Sequence, residues 1–424
     1  MNNQNIVVSI DVGTTKIFVI VSEIDRETEK FKILGYGMSA SNGGLNKGRV
    51  VDIDRAAKDI ESAIKAAEIM SSVPITKAFV GIAGRHIESL ESSGIITLSE
   101  NEPREITKAD KRRLEDIAEN KVVPVERTVI HRIGYNYRID DSGIIKNPIG
   151  MRGCKLEGTV HVVTGMINTI DALIKSVNKL SIEVEDVVLE PYASGKAVLT
   201  DTEKRTGVIL VDIGGGTTDI AVFKNEKLIY TSVLPLGGEY FTSDIATLLG
   251  IETRVADNLK KDFSINNEDY KMDEVVEIPN YDRYTEKKEV EVKHLKEIID
   301  SRTEEILENI EKKIEASGVK HQVYNGIVFT GGSSKIAGLK ERAEKYFDMP
   351  VRFAVPIKKD GLSDQMLKPE DATGVGLLLY GVEKSLEGKV ISLNEEEQEG
   401  KKSMFDVIIG KLKKGFDIFF SDSE

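Results

Sequence analysis

A chain of 424 residues, 40 % hydrophobic and 30 % charged, has the composition of a soluble protein and the length for roughly two to four domains with cores of their own. Its net charge of −13 argues against a general nucleic-acid binder, and its one cysteine, Cys154, excludes an internal disulfide framework and fits a reducing compartment. The five histidines do not stand at metal-ligand spacing, no uncharged apolar run of about 18 residues exists to span a membrane, and the N-terminus enters a strand near Ile6 without a signal sequence.

The first element is a hairpin. Residues 7–21, VVSIDVGTTKIFVIV, read as an apolar strand, Asp11, a turn at Gly13-Thr14-Thr15, and a second apolar strand. Residues 31–39 form a third strand, and Asn42-Gly43-Gly44 with Asn46-Lys47-Gly48 mark a loop. Residues 54–70 place Ala57, Ile60, Ala63, Ile64 and Ala67 on one face, which predicts an amphipathic helix. Residues 78–82 are a strand, and Gly84 is a boundary. Residues 85–164 then change character. A strand at 95–98 precedes a helix at 107–119 opened by the capping box Thr107-x-x-Asp110, and strand pieces follow at 128–133, 135–139 and 156–164. This predicts a small α+β insertion with no nucleophile–base pair. Its loop Asn147-Pro148-Ile149-Gly150-Met151 is a turn or a contact surface. Residues 170–180 are helical, 184–189 a strand ending at Glu190-Pro191, and 193–199 a helix that crosses back between two halves.

The second half opens at Gly207 and repeats the first hairpin. Residues 208–223, VILVDIGGGTTDIAVF, give an apolar strand, Asp212, the turn Gly214-Gly215-Gly216-Thr217-Thr218, and a strand rich in β-formers. Glycines let such a turn approach a ligand closely, and its bare N–H groups form a concavity for phosphate oxygens. A carboxylate at Asp212 is placed to hold hydrated Mg²⁺ against those phosphates. A bulky residue at Gly215 is expected to push its Cβ into the phosphate path. One such hairpin also reads as a plain glycine turn between core strands. Two copies suggest related halves that each present a phosphate hairpin to a shared cleft. Further on, 240–249 and 254–262 are helical, 275–278 and 290–292 are strands, and 295–314 is a long helix with a charged outer face. A strand at 323–329 runs into Thr330-Gly331-Gly332-Ser333-Ser334, a helix covers 340–347, and 372–380 opens a last small-residue helix.

The C-terminal stretch is different again. Residues 394–402 are polar and mostly charged, a tether with a reach of roughly 15–20 Å. Residues 403–420 begin with the capping box Ser403-x-x-Asp406 and put Phe405, Ile408, Ile409, Leu412, Phe416, Phe419 and Phe420 on an arc of about 120°. Val407 and Ile418 fall outside it. Five lysines against Asp406 give residues 401–416 a charge of +4. A helix about 26 Å long with central lysines should lie flat on an anionic membrane surface. The alternative is a terminal helix packed on the protein's own core.

In this order, the two Asp-x-Gly hairpins, Glu190-Pro191 and Gly331-Gly332-Ser333 resemble the actin, sugar kinase and heat-shock chaperone ATPases. Within that superfamily IDVGTTK at 10–16, GGLNKGRVVD at 43–52, NPIGMRG at 147–153 and the amphipathic terminus resemble the FtsA family, the bacterial cell-division actin homologues. The resemblance covers essentially the whole chain. It implies an α/β, actin-like two-lobed ATPase fold with a duplicated βββαβα core, an inserted α+β subdomain and a C-terminal amphipathic helix. Subdomain 1A would take 1–84 and, with the crossover helix, 165–206. The insertion 1C would take 85–164, 2A 207–230 and 303–367, and 2B 231–302. A returning helix at 368–388, a flexible linker at 389–402 and a membrane helix at 403–420 would follow. By resemblance, Gly13, Thr14, Thr15 and Lys16 form one phosphate loop and Gly214, Gly215, Gly216, Thr217 and Thr218 the other. Asp11 and Asp212 hold the water shell of Mg²⁺, with Asp11 also at the reacting end of ATP. Glu190 positions the attacking water. Asp257, Lys260 and Lys261 match the ribose-and-adenine helix of the chaperones, and Gly331, Gly332, Ser333 and Lys335 the adenine-side loop. For the helix residues a solvated face is the alternative. The lysine that the chaperones use in hydrolysis has no counterpart located here, so at most a weak ATPase is expected.

The implied function is an ATP-binding protein that polymerises on the cytoplasmic face of the cell membrane at the division site. It would bind anionic lipids peripherally and anchor the FtsZ ring. Its partners would be the C-terminal peptide of FtsZ, with Arg302 as a contact, further copies of itself through 85–164, and downstream division proteins, but no nucleic acid. A small-molecule kinase of the same superfamily would need a carboxylate base beside its acceptor hydroxyl, and none is evident outside the hairpins. A chaperone would need a long substrate domain after residue 380. A pilus-assembly actin homologue has the same architecture but no use for the terminal helix.

Overall fold

The computed structural model of the chain describes residues 5–266, 271–278 and 288–392. Two five-stranded sheets carry the fold, and both follow one plan. In the first, Ile6–Val12, Lys16–Asp25 and Lys30–Ala40 form an antiparallel meander. On its other side Ile6–Val12 runs parallel to Lys77–Ile82, which runs parallel to Glu183–Leu189. In the second, Val208–Ile213, Thr218–Lys224 and Lys227–Leu234 form the meander, and Ile327–Thr330 and Val351–Phe353 extend the sheet in parallel. The repeat seen in the two hairpins therefore extends to whole sheets. Both first strands, IVVSIDV and VILVDI, are buried along their full length, as continuous apolar runs at a sheet centre should be.

Helices close the two lobes. Asp52 caps Ile53–Ser71 by accepting from the Arg55 N–H at 3.0 Å, and the helix lays Ala56, Ile60, Ala63 and Ala67 on the first sheet. Ala372–Ser392 packs on the central strands of that sheet and on Glu190–Val198. It is one continuous helix past residue 388, where the sequence puts the start of a linker. Among the described residues no helix is long and apolar enough to cross a membrane. Residues 394–402 and the amphipathic stretch 403–420, with Phe405, Ile408, Ile409, Leu412, Phe416, Phe419 and Phe420, lie outside the described residues.

The insertion has its own core. Glu88–Thr97, Lys155–Met166 and Arg127–Ile139 form an antiparallel sheet with Lys155–Met166 in the middle. Lys108–Asn120 packs on it through Leu114 and Ala118, against Ile96, Tyr137, Leu156 and Val160. The Thr107–Asp110 capping box forms as the sequence predicts. Other expectations change. The pieces at 128–133 and 135–139 are one strand, bent where its register against Lys155–Met166 shifts and where Asn136 takes a φ of 51°. The strand expected from residue 323 begins only at Ile327, because Lys320–Gln322 is a 3-10 turn and Gly326, at φ 69°, breaks the extended chain. Lys227–Leu234 escaped the sequence reading because its polar residues interrupt the apolar run.

His86, His131 and His161 are buried in or beside this insertion. His161 is 1 % exposed, and neither ring nitrogen has a hydrogen-bond partner among the described residues. Burial pulls its pKa down to about 4. An unfolded chain takes up this proton below about pH 6.5, and the native fold only near pH 4. Stability is therefore lost as pH falls through that window. His161→Leu is expected to gain about 1 kcal/mol at pH 7, since two unpaired polar atoms leave the core. Its stability should also fall less between pH 6.5 and 4.5. Urea unfolding of both proteins across that range checks each point, and an unchanged acid slope would count against the assignment.

Candidate functional site

The two hairpins meet face to face. The same hydrogen bond closes each turn, from Gly13 N to Lys16 O at 3.0 Å and from Gly214 N to Thr217 O at 2.9 Å. A Cβ added at Gly215 would lie 2.5 Å from Thr15 Cγ2, and one at Gly216 2.8 Å from Thr14 Oγ1. Only glycine fits where the loops touch. Thr14 Oγ1 also accepts from the Gly48 N–H at 3.1 Å. The second loop is anchored through its carbonyls. Gly238 N reaches Gly214 O at 3.0 Å, Glu239 N reaches Gly215 O at 2.8 Å, and Ser333 Oγ reaches Gly214 O at 2.8 Å. Two of the threonines are spoken for: Thr218 Oγ1 donates to Leu236 O at 2.7 Å and Thr217 Oγ1 to Asp219 Oδ2 at 3.1 Å.

Beneath the loops lies a group of enclosed carboxyls. Asp11 and Asp212 each stand one residue before the end of the first strand of their hairpin. Burial pushes Asp11 up to about 7, with Asp212 and Asp371 adding to the rise against the opposing Lys16. Burial also raises Asp212, although Ser194 Oγ at 2.6 Å and Thr373 Oγ1 at 3.3 Å donate to it. Glu190 opens the helix Glu190–Val198, with Pro191 in its first turn, and Gly81 leaves it room. It keeps some surface exposure, yet its carboxyl is held far above the usual range by burial and by Asp11, Asp219 and Asp212. Asp219 is pushed up to about 8 by burial and by Asp212. Sequence reading missed it, although it directly follows the Thr217-Thr218 pair.

Lys16 is the cation facing this group. Its Nζ donates to Asp371 Oδ1 at 2.9 Å and to Glu370 O at 2.8 Å. Lys335 donates to Glu370 Oε1 at 2.9 Å, and Gly331 N to Pro369 O at 3.3 Å. Gly331 has a φ of 89°, and a Cβ there would lie 2.5 Å from Ile213 O. Asp219 Oδ1 and Asp371 Oδ2 are buried acceptors without partners among the described residues. Hard carboxylate oxygens of this kind suit Mg²⁺. Among the described residues no three acidic or histidine side chains converge to bind a metal directly.

The remaining residues singled out by sequence divide by role. Lys260 is buried and donates to Asp257 Oδ1 at 2.8 Å, Thr242 Oγ1 at 2.7 Å and Gly238 O at 3.2 Å. It fastens Thr253–Asn266 to the helix turn that holds the second loop. Lys261 is exposed and pairs with Asp257 at 2.6 Å. Arg302, on Val292–Ala316, grips Asp244 through Nε at 2.6 Å and Nη2 at 2.8 Å, pairs with Glu305, and lies 5.2 Å from the Tyr240 ring centre. A peptide carboxylate would have to compete with Asp244 for it. Lys47 also escaped the sequence reading as a site residue. It crosses from the first lobe to donate to Tyr240 Oη at 2.6 Å.

Residues 209–376 match the family described as cell division protein FtsA, and residues 84–164 the SHS2 domain inserted in FTSA. The chain is 38 % identical to the cell division protein FtsA of Pseudomonas aeruginosa over 396 residues, 93 % of either chain. It is 33 % identical to that of Borreliella burgdorferi over 417 residues, 98 % of either chain. Among solved structures it is similar to the PilM-PilN type IV pilus biogenesis complex, with a TM-score of 0.61 at 14 % identity over 89 % of this chain and 98 % of that one. At that identity the likeness is one of fold alone.

Proposed function

The chain belongs to the FtsA family of cell division proteins, and we propose that it binds Mg-ATP between its lobes, polymerises, and ties the FtsZ ring to the cytoplasmic face of the membrane at the division site. One observation carries the nucleotide reading: two glycine hairpins from duplicated lobes meet over enclosed carboxyls and one lysine. In this reading Gly13, Thr14, Thr15 and Lys16 take phosphate oxygens from one side, and Gly214, Gly215, Gly216, Thr217 and Thr218 from the other. Asp11 and Asp212, with the unpartnered oxygens of Asp219 and Asp371, hold hydrated Mg²⁺. That cation supplies the charge needed to bring a polyphosphate among carboxylates. Glu190 orients a water. Gly331, Gly332, Ser333 and Lys335 face the adenine side. Lys260 and its partner Asp257 support the second loop, and Lys261 lies beside them.

The insertion serves self-association, since it has a core of its own and no catalytic constellation. The FtsZ C-terminal peptide is assigned to the surface around Val292–Ala316, near Arg302, and residues 403–420 to anionic lipid. Other division proteins dock on the assembled filament. The pilus-assembly alternative rests on a likeness of fold alone, whereas the relatives at 33–38 % identity are cell division proteins. With Mg-ATP and vesicles of acidic phospholipid, the protein is expected to pellet with the vesicles and to form filaments on them in electron micrographs. Protein that stays in the supernatant under all conditions would overturn the adaptor reading.

A further inference from the structure

We propose that Asp371 is a latch on Lys16: it pairs with the ammonium group, competes with an arriving phosphate for its charge, and so weakens the lysine's hold on that phosphate. The proposal rests on the nucleotide reading above and adds a competitor inside the site. Lys16 follows the first glycine turn directly, where a phosphate-binding cation is needed. Yet its Nζ already donates to Asp371 Oδ1 and Glu370 O, and its third side lies 4.9 Å from the centre of the Phe18 ring. An ammonium has three donors and two are used here, so a phosphate oxygen can take the third, but it meets a charge already shared with Asp371.

The latch is built into the junction of the lobes. Pro369–Asp371 is a short 3-10 turn that leads straight into the helix Ala372–Ser392. The second lobe holds this turn by two contacts that do not involve Lys16, Gly331 N to Pro369 O and Lys335 Nζ to Glu370 Oε1. The helix that follows packs on the first sheet, where Ser9 Oγ donates to Gly374 O at 3.2 Å, so the turn is held by both lobes whether or not Lys16 is paired with it. Asp371 is 1 % exposed, and its Oδ2 has no partner among the described residues. A buried carboxylate half satisfied in this way is poorly stabilised by the lysine alone. Its open oxygen can accept from a water of the cation that accompanies the phosphates, so the loss of Lys16 need not strand it.

Isothermal titration of Mg-ATP into wild type, Asp371→Asn, Lys16→Ala and the double variant tests the latch. Asp371→Asn is expected to bind about tenfold tighter than wild type, the size of effect one neighbouring charge exerts. In the Lys16→Ala background the same change should bring no gain, because the gain acts through the freed ammonium. Affinity of Asp371→Asn at or below wild type would overturn the proposal. An equal gain without Lys16 would also overturn it, since that would be a general charge effect. Asp371→Ser replaces the asparagine variant if the latter shows no cooperative thermal transition. Wild type that fails to bind Mg-ATP refutes the nucleotide reading and the latch with it; wild type that binds normally beside an unaltered Asp371→Asn refutes the latch alone.

Discussion

Gly215→Val is expected to lower Mg-ATP affinity by about 100-fold or more while the protein stays folded. Sequence alone directs a new side chain at residue 215 into the phosphate path. The structure directs it elsewhere, at Thr15 of the opposite lobe, with a Cβ only 2.5 Å from Thr15 Cγ2 and 2.9 Å from Oγ1. Thr15 is short and β-branched, with one side-chain torsion to relax, so the clash is relieved by moving the hairpins apart. The phosphates would need both loops at once, and a displacement of about 1 Å suffices for a loss of this size. The fold should tolerate the change, because Gly215 lies between strands whose pairing, from Ile213 with Thr218 to Val208 with Phe223, does not depend on it. Titration calorimetry and a thermal melt separate the two effects. A folded variant with wild-type affinity would show that the hairpins do not grip the nucleotide together.

Changing Phe416 and Phe419 together to glutamate is expected to release the protein from acidic vesicles and to leave Mg-ATP affinity unaltered. Each phenylalanine buried in the acyl boundary contributes roughly 1.5–3 kcal/mol, so two removals cost about 3–6 kcal/mol before any charge effect. The two added carboxylates work against the local +4 of residues 401–416, at about 1 kcal/mol for each charge near an anionic surface. Together these shift partitioning by more than about 100-fold. A helix packed on the protein's own core would behave differently: the substitutions would lower the melting temperature and leave vesicle binding as it was. Co-sedimentation that matches wild type would remove the tail as the membrane anchor.

Much of this molecule is legible in its sequence, because the signals are local. A hairpin needs two apolar runs and a glycine turn within about 16 residues, and both copies formed where the sequence places them. The capping box at Thr107, the helical face from Ala57 to Ala67 and the lysine-and-phenylalanine pattern after Ser403 are likewise matters of spacing within a few turns. Duplication of the Asp-Gly turn was enough to expect two lobes with one cleft. What spacing could not decide is which distant groups share that cleft. Lys16 meets Asp371 across 355 positions, and Lys47 meets Tyr240 across 193. Arg302, expected from sequence as a contact for a partner peptide, is paired in the fold with Asp244. Asp219 stands opposite Asp212 within the second hairpin, but its carboxyl is raised only because the packed lobes bury it. Periodicity encodes which face of an element is buried. The partner of a polar group, and the protonation state that follows from it, depends on where the elements are packed, and that is set by the tertiary structure alone.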